Sequence, residues 1–427
     1  MAENTSPSAD APSQVNLLYN QQSPLVYQPS TDTYVSTKSS NTVLPRLRLA
    51  FCPENVTPNY FSFLQWRMLQ RWINANLHVL GTQSLLMGLG LQHKAAIGAA
   101  VQWVLKDALG KVVRLLWASK MGRRFDADAK RWRLRSAAVF ATGNALEIVT
   151  SLCPSYFLVL ATLANCCKQV SMLTSSSTRT AIYNSFGPKE NIGDITAKGE
   201  AQIAVVDLIG ITTGVWWTQR LPSRKFVALA YVVLQSFEIF CVYRTMRAVQ
   251  YRVLNFERLQ RLTYDFCKGE ALGTPSALAA NERILLPPPL VGRQRIAFGS
   301  LGRAPLNPDE FQKLQSIFRR ERFLLVVGPN VKEPRSGPPD CDCHIVLHAQ
   351  ATNTDLVKAT LALTYLRQRL TVNGLRSSDC YEWLEASLEE ATRALPKFLK
   401  ELQVRGWESP ARSLFGGVHM RADWPLE

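Results

Sequence analysis

Between about residues 95 and 250 the sequence writes long apolar runs and sets charged or amide side chains inside them. That combination narrows the available folds more than any other feature. The run "AAIGAAVQWVLKDALGKVVRLLWA" holds Lys106 and Asp107 at its middle. "SAAVFATGNALEIVTSL" (136–152) holds Asn144 and Glu147, and "YFLVLATLANCC" (156–167) holds Asn165. "IAVVDLIGITTGVWW" (203–217) holds Asp207, and "FVALAYVVLQSFEIFCVY" (226–243) holds Glu238. A buried charge is costly unless it is paired, so each should find a partner on a neighbouring helix. Pro154 and the Leu221-Pro222-Ser223 turn join successive runs so tightly that they must lie antiparallel. The expected object is an apolar helical bundle with polar ties inside it.

A membrane span needs about 20 mostly apolar residues. Only 226–243 approaches that length, and it contains Glu238; the other three pieces run 12–17 residues. The Gly210-x-x-x-Gly214 face and the basic residues beside the apolar ends favour membrane association over a soluble bundle. A shallow or re-entrant arrangement fits as well as full spans.

The flanking regions read differently. Residues 1–45 are rich in Ser, Thr, Pro, Gln and Asn and are expected to be disordered. They lack the apolar core of a secretory signal, and their Ser-rich, acid-poor character leaves a plastid transit peptide or a free cytosolic tail open. The helical domain is expected over 50–267. Its first helix carries Phe61, Leu64, Met68 and Trp72 on one face, with Arg67 and Arg71 off it, and a basic helix over 244–261 closes it. Residues 268–292, with Gly273, Pro275 and the Pro287–Pro289 run, read as a linker between two domains. Beyond it, 293–427 read as a small ferredoxin-like α/β domain. Strands are expected at "RIAFGSL", "RFLLVVG" and "CHIVLH", with "SLFGGVHM" as a candidate last strand. Helices are expected at 308–319, 354–370 and 380–402, the last kinked or broken at Pro396. The fold class is therefore mainly α, with the α/β part at the C-terminal end.

Charge and motifs limit the function classes. Lys plus Arg number 49 against 33 Asp plus Glu, a net +16 that favours anionic partners. The basic stretches 111–135 and 244–261 suit lipid head groups, and neither belongs to a nucleic-acid module. No catalytic fingerprint occurs, so an enzyme is not expected. Nine Cys form no disulfide framework. Cys341, Cys343, His344 and His348 imitate zinc ligands, but strand alternation sends the cysteines and histidines to opposite faces, so no metal is expected.

The long segment from Val101 to Thr150 resembles the signature of the root UVB-sensitive family, whose domain is also named for vitamin B6 photoprotection and homeostasis. The resemblance rests on Lys106-Asp107 before Gly110, Arg114 before two leucines, and Phe125-Asp126 before Lys130, Trp132 and Arg133. A second signature holds Asn165, Lys168, Thr178-Arg179, Asn191, Asp194, Ala197-Lys198 and Gln202, and "GWESPARSLFGGVHMRADW" resembles the closing motif. Ala108 and Ala129 depart from the pattern. The resemblance implies a eukaryotic protein linked to UV-B response, vitamin B6 balance and auxin-related development, in plastids or at membranes. It supplies no catalytic residue. Lys106 or Lys198 could form an aldimine with pyridoxal phosphate, but the sequence shows no phosphate cradle, so no cofactor is expected.

The candidate site is the polar cluster Lys106, Asp107, Asn165, Lys168, Arg179, Asp194, Lys198 and Glu200. It is read either as structural ion pairs or as a pocket for an anionic ligand. Lys106 and Asp107 point about 100° apart on a helix, so they are not expected to pair with each other. Asp194 or Glu200 for Lys106, and Arg179 or Lys198 for Asp107, would tie the 95–118 helix to the 175–202 segment. Trp132 and Trp407 are expected to serve packing. The functional expectation is a non-enzymatic, membrane-associated regulatory or scaffold protein. Its expected partners are lipid head groups or a protein of the same family, on an intracellular membrane of the plastid or the cytosolic face of another organelle. The alternative is a transporter or carrier of a phosphorylated or anionic small molecule, and least favoured is a pyridoxal-phosphate-related enzyme.

Overall fold

The computed structural model describes residues 25–28, 33–36, 51–53, 55–90, 96–121, 125, 128–187, 191–220, 224–285, 296–298, 307–327, 343–373, 380–412 and 421–422. Residues 1–54 form one unit. Within it, β1 (Leu25–Gln28) and β2 (Thr33–Ser36) make an antiparallel hairpin in register Leu25↔Ser36 to Gln28↔Thr33. Ordered strands thus stand inside a segment whose composition suggested disorder throughout. Tyr27 and Val35 are the β-favouring residues that the compositional reading averaged away.

Residues 55–427 form the second unit. Its axis is α1 (Asn59–Gly90), which packs against α3 (Ala129–Leu152), α5 (Ile192–Arg220) and α6 (Arg224–Ala248). α2 (Ala96–Met121) lies on α4 (Phe157–Tyr183), and α4 in turn lies along α3. Tyr60, Phe63, Tyr183 and Phe186 form an aromatic core near the start of α1, with ring centroids of Phe63 and Phe186 4.7 Å apart.

Helices approach closely because glycine sits at the crossings. A Cβ on Gly210 would lie 2.6 Å from the Ala75 Cβ and 2.9 Å from the Trp72 carbonyl, and one on Gly214 would lie 3.0 Å from Val79. The small-residue face read from the sequence is therefore where α5 seats on α1. Gly143 does the same for α3 against α4, 2.9 Å from the Ala164 carbonyl.

The apolar pieces expected to be short are continuous with polar helix. α4 runs on through the Ser/Thr stretch to Tyr183, where Thr174 and Thr178 return their hydroxyls to the carbonyls of Val170 and Thr174. Three segments, Pro154–Tyr183, Ile192–Arg220 and Val227–Ala248, are long and apolar enough to cross a membrane by length and composition. The single near-span of the sequence reading becomes three because polar residues extend the helices without breaking them.

The expected basic helix over 244–261 is two helices. α6 stops at Ala248, and α7 (Phe256–Cys267) starts afresh at Asn255, whose side chain accepts from the Arg258 amide at 2.9 Å. The expected linker is structured over its first part. α8 (Pro275–Asn281) begins at the Thr274 cap, and Ile284 is buried in the core beside α1 and α6. Residues 286–292 lie outside the described residues.

In the C-terminal region β3 (Ile296–Phe298) runs parallel to β5 (Cys343–His348), and β4 (Phe323–Val327) pairs antiparallel on its other side. α9 (Pro308–Ile317) crosses between β3 and β4. That is the strand order of a ferredoxin-like split βαβ unit. The departure is at the end: β6 (Arg421–Ala422) pairs parallel with β5 rather than joining β3. The proposed strand at 413–420 lies outside the described residues. α10 (Asn353–Asn373) and α11 (Cys380–Val404) cover the sheet side of this region. α11 passes through Pro396 without ending, so of the expected kink or break there is no break. Leu395, Phe398, Leu399 and Leu402 pack on Leu254, Leu259 and Trp407, and this burial outweighs the hydrogen bond the proline removes. Trp407 is itself buried and donates from Nε1 to the Gly273 carbonyl at 2.9 Å. Trp132 packs edge-on against Phe125 and Trp117.

A buried ionic latch ties the bundle to the chain beyond α6. Lys130 at the start of α3, 2% exposed at its side chain, meets Glu282 at 2.6 Å, and Glu282 also takes Arg258 of α7 at 2.9 Å. Arg131 forks onto Glu257 at 2.7 and 3.0 Å and donates to the Arg283 carbonyl. Burial raises the Glu282 carboxyl, but the Arg258 and Lys130 charges outweigh it and hold the group down at about 2. Burial pushes the Lys130 ammonium down from its ordinary value, with Glu282 opposing. Thr364 of α10 then bonds Thr263 of α7 at 3.1 Å, so α7 joins the helical and α/β regions.

Gly210→Val should drive α1 and α5 apart and cost about 1–3 kcal/mol, as overpacking does, read by thermal unfolding in detergent. Glu282→Gln strands Lys130 and Arg258 and should cost roughly 3–5 kcal/mol. Because the folded carboxyl titrates near 2 against an ordinary 4.5, its contribution is full at neutral pH and is lost as pH falls through that window. The variant should accordingly lose less stability than the parent between those two pH values.

Candidate functional site in the helical bundle

Polar ties run through the otherwise apolar interior of the bundle. Glu238 of α6 accepts from Gln70 of α1 at 2.6 Å and from Gln235 at 3.1 Å, and Asn144 of α3 donates to Gln235 at 2.9 Å. One hydrogen-bonded chain thus crosses three helices. Lys168 of α4 and Glu147 of α3 are paired and buried. Gly81 of α1 faces that carboxylate, where any Cβ would overlap it. Arg71 of α1 forks onto Asp207 of α5. The Tyr231 hydroxyl donates to the Ala141 carbonyl at 2.7 Å. Asn144, Glu147, Asp207 and Glu238, set into the apolar runs, therefore do find partners on other helices.

The eight expected site residues fall in three places rather than one. Lys106 and Asp107 pair with each other at 2.6 Å. The flexible four-carbon stem of lysine bridges the angle between adjacent positions, which the expectation against such a pair neglected. Lys106 is buried over the Trp103 ring at 4.5 Å, while Asp107 is 46% exposed at its side chain. Asn165 of α4 ties this pair down, donating to the Lys106 carbonyl at 3.0 Å and towards Asp107 at 3.4 Å. Lys168 belongs to the Glu147 pair. Arg179 meets Glu200, and Lys198 meets Asp194 one turn away at 3.0 Å. Among the described residues no ion pair joins α2 to the 175–202 segment. The nearest tie is neutral and falls one residue short of that segment, from Trp117 Nε1 to the Thr174 hydroxyl of α4 at 3.0 Å.

Arg67 and Arg71, off the apolar face of the first helix, point into the bundle. Arg67 is 8% exposed and lies 5.7 Å from both the Phe63 and Tyr183 rings. Arg133 of α3 donates to the Ser175 hydroxyl of α4. α1 is enclosed by three helices, so its polar face is an interior face. Lys130 and Arg131, counted in the basic stretch suited to head groups, are buried in the latch. Cys341 lies outside the described residues, and among those described no cluster of His, Cys, Asp and Glu is placed to hold a metal.

The bundle also exposes apolar side chains. α2 exposes Val104, Leu109 and Leu115; α4 exposes Val159 and Leu163; α5 exposes Leu208, Ile209 and Trp216; α6 exposes Leu229, Val232 and Val233. Leu115 is 71% and Leu208 67% exposed. Between Pro308 and Arg412 of the α/β region, Val404 alone among the described residues is a large exposed hydrophobic.

A helical bundle with an apolar outer surface, polar ties in its interior and an α/β appendage defines an architectural class. Similarity to known proteins places the chain more narrowly. The vitamin B6 photo-protection and homoeostasis domain matches residues 37–270, and together with its relatives this shows that the chain belongs to the root UVB sensitive family. It is 30% identical over 357 residues to the protein root UVB sensitive 2, chloroplastic, of Arabidopsis thaliana, covering 83% of this chain and 79% of that one. It is 26% identical to root UVB sensitive 4 of the same plant, covering 84% and 72%. RUS family member 1 of Dictyostelium discoideum is 27% identical over 55% of this chain and 46% of its own length. No solved structure matches.

The Lys168–Glu147 pair tests whether the interior charges serve structure. Lys168→Met alone should cost roughly 3–5 kcal/mol by stranding Glu147, and Lys168→Met with Glu147→Leu should recover most of it. Thermal unfolding of the single and double variants reads the difference.

Proposed function

We propose that this chain is a membrane-embedded, non-enzymatic regulatory or scaffold protein, its bundle held in lipid and its α/β region in water. The single observation that carries the reading is the apolar bundle surface: large apolar side chains point outward from α2, α4, α5 and α6 while the buried amides and ion pairs are tied inside. Water would penalise that surface, whereas lipid accepts it. Three helices have the required length and composition. A groove of about 700 Å³, lined by Val79, Leu86, Met87 and Ile211 together with His78, Thr82 and Gln83, opens on the same exterior. The polar surface of the α/β region supports its aqueous placement.

The non-enzymatic part of the proposal draws on how the reactive candidates are used. Lys106 is held by Asp107, Lys168 by Glu147 and Lys198 by Asp194. A regulatory role follows the family, and a plastid membrane is proposed from the chloroplastic relative. The carrier reading stands second, favoured by the interior arginines Arg67 and Arg133.

Sodium carbonate extraction of native membranes checks the proposal. The chain is expected to stay in the pellet at alkaline pH and to enter solution with non-ionic detergent. Release by carbonate alone would reduce the protein to a peripheral one and refute the embedding.

A further inference from the structure

We propose that all six bundle helices cross the bilayer between two girdles where arginine lies over tryptophan, with the α/β region on the side where α1 begins. The inference rests on the embedded reading above and adds its boundaries, its number of crossings and its sidedness. Contacts between helices fix their directions. α5 runs parallel to α1: Asp207 meets Arg71, Gly210 faces Trp72 and Gly214 faces Val79. α6 runs the other way, with Phe240 beside Trp66, Glu238 on Gln70 and Val227 packed with Leu80. α3 is parallel to α1, since Leu134 joins Tyr60 and Phe63 while Glu147 faces Gly81. α4 returns along α3: Ser171 donates to the Ser136 carbonyl at 2.6 Å, and Ala164 faces Gly143. α2 follows α4, with Gly110 at Asn165 and Trp117 bonded to Thr174. All six therefore run between the same two ends.

Both ends carry the side chains of a membrane interface. At the upper end, where α1 begins, Arg244 lies 4.9 Å over Trp66 and Arg135 lies 5.0 Å over Trp132, which Trp117 meets edge-on. At the lower end Arg220 lies 4.6 Å over Trp216, Trp217 stands beside it, and Tyr156 of the α3–α4 turn is exposed. Tryptophan and tyrosine gather at membrane–water interfaces, and arginine stems reach from there to the head groups. Between the girdles the exposed side chains include Leu115, Leu163, Leu208 and Val232. From Trp66 to Leu85, which packs with Phe157 next to Tyr156, α1 rises about 28 Å at its helical pitch. A hydrocarbon core is roughly 30 Å thick. The ion pairs Arg179–Glu200 and Lys198–Asp194 fall at or beyond the upper girdle, towards water. Lys111 and Arg114, exposed on α2, sit within two turns of Trp117, close enough to snorkel to the upper rim. α1 and α3 need not be apolar throughout, because other helices enclose them. The latch holds Glu282 against Lys130 at the upper start of α3, and Thr263 of α7 bonds Thr364 of α10, so the α/β region follows on that side.

The test uses the full chain in sealed native membrane vesicles and a charged, membrane-impermeant maleimide. Each cysteine variant is compared with the parent's own labelling in intact vesicles, after freeze–thaw loading of the reagent, and in detergent. Ala197→Cys, Leu208→Cys and Gln219→Cys occupy exposed positions on α5 above, between and below the girdles. Ala197→Cys and Gln219→Cys should each gain one label, from opposite sides of the membrane. Leu208→Cys should gain one only in detergent. Arg393→Cys, exposed on α11, should label from the Ala197 side. Cys153→Ser, at the exposed α3–α4 turn, should lose a label on the Gln219 side. Labelling of positions 197 and 219 from one side overturns the proposal, as does labelling of position 208 without detergent. So does labelling of position 393 from the Gln219 side, of Cys153 from the Ala197 side, or of position 219 from neither side. Carbonate release would refute the embedding itself. A carbonate-resistant chain labelled at 197 and 219 from one side keeps the embedding and loses the crossing.

Discussion

The physical constraint on which this structure depends is the low tolerance of its interior for unpaired polarity. The bundle buries apolar residues such as Phe63, Ile73, Leu77, Leu80, Ile148 and Phe157 between its helices and exposes others outward. Close backbone approach and polar ties add to that apolar burial. Gly210, Gly214 and Gly143 permit the first, and the Gln70–Glu238–Gln235–Asn144 chain and the Lys168–Glu147 pair provide the second. These devices depend on one another. Gly81 is small because the Glu147 carboxylate needs its place, and Gly110 is small because the Asn165 amide does.

The same constraint governs the join to the rest of the chain. α3 enters the bundle through Lys130 and Arg131, two cations that a bundle interior alone would not accept. They are accepted because Glu282 and Glu257 come from beyond α6 to meet them. The segment that resembles a linker is thereby a structural element: its α8 delivers Glu282, and Gly273 receives Trp407. Because Glu282 serves Lys130 and Arg258 together, motion of α7 relative to α3 would break a buried ion pair. The bundle and the α/β region are therefore mechanically coupled through this triad.

How much of this was legible in the sequence follows from which quantities are local. The run of apolar segments, the tight turns, the small-residue face of α5 and the strand at 343–348 depend on periodicity and short-range chemistry, and these were readable. That Glu147, Asn165, Lys168 and Glu238 would need partners was also readable, because burial cost belongs to the residue itself. Which partner each takes was not, because that depends on the rotational setting of two helices far apart in sequence. The setting of Arg67 and Arg71 was not readable for a related reason. A single apolar stripe implies water on the other face, and α1 has protein on both. A polar residue on a helix of 32 residues, flanked in sequence by other long apolar helices, was the available clue. At Pro396 a break, one of the two local outcomes expected of a proline, is absent because packing carries α11 through.

The distribution of charge within the bundle has a further consequence. Ion pairs that only hold helices together need one acid for each base, as Lys168–Glu147 and Arg71–Asp207 have. Glu238 departs from that pattern: the neutral amides of Gln70 and Gln235 hold it, and among the described residues no ion pair reaches it. Arg67 likewise lies against the Phe63 and Tyr183 rings and not against a carboxylate. Replacing a buried charge by a well-packed hydrophobe is often neutral or stabilising, so these two groups mark where the bundle interior carries polarity that packing alone does not require.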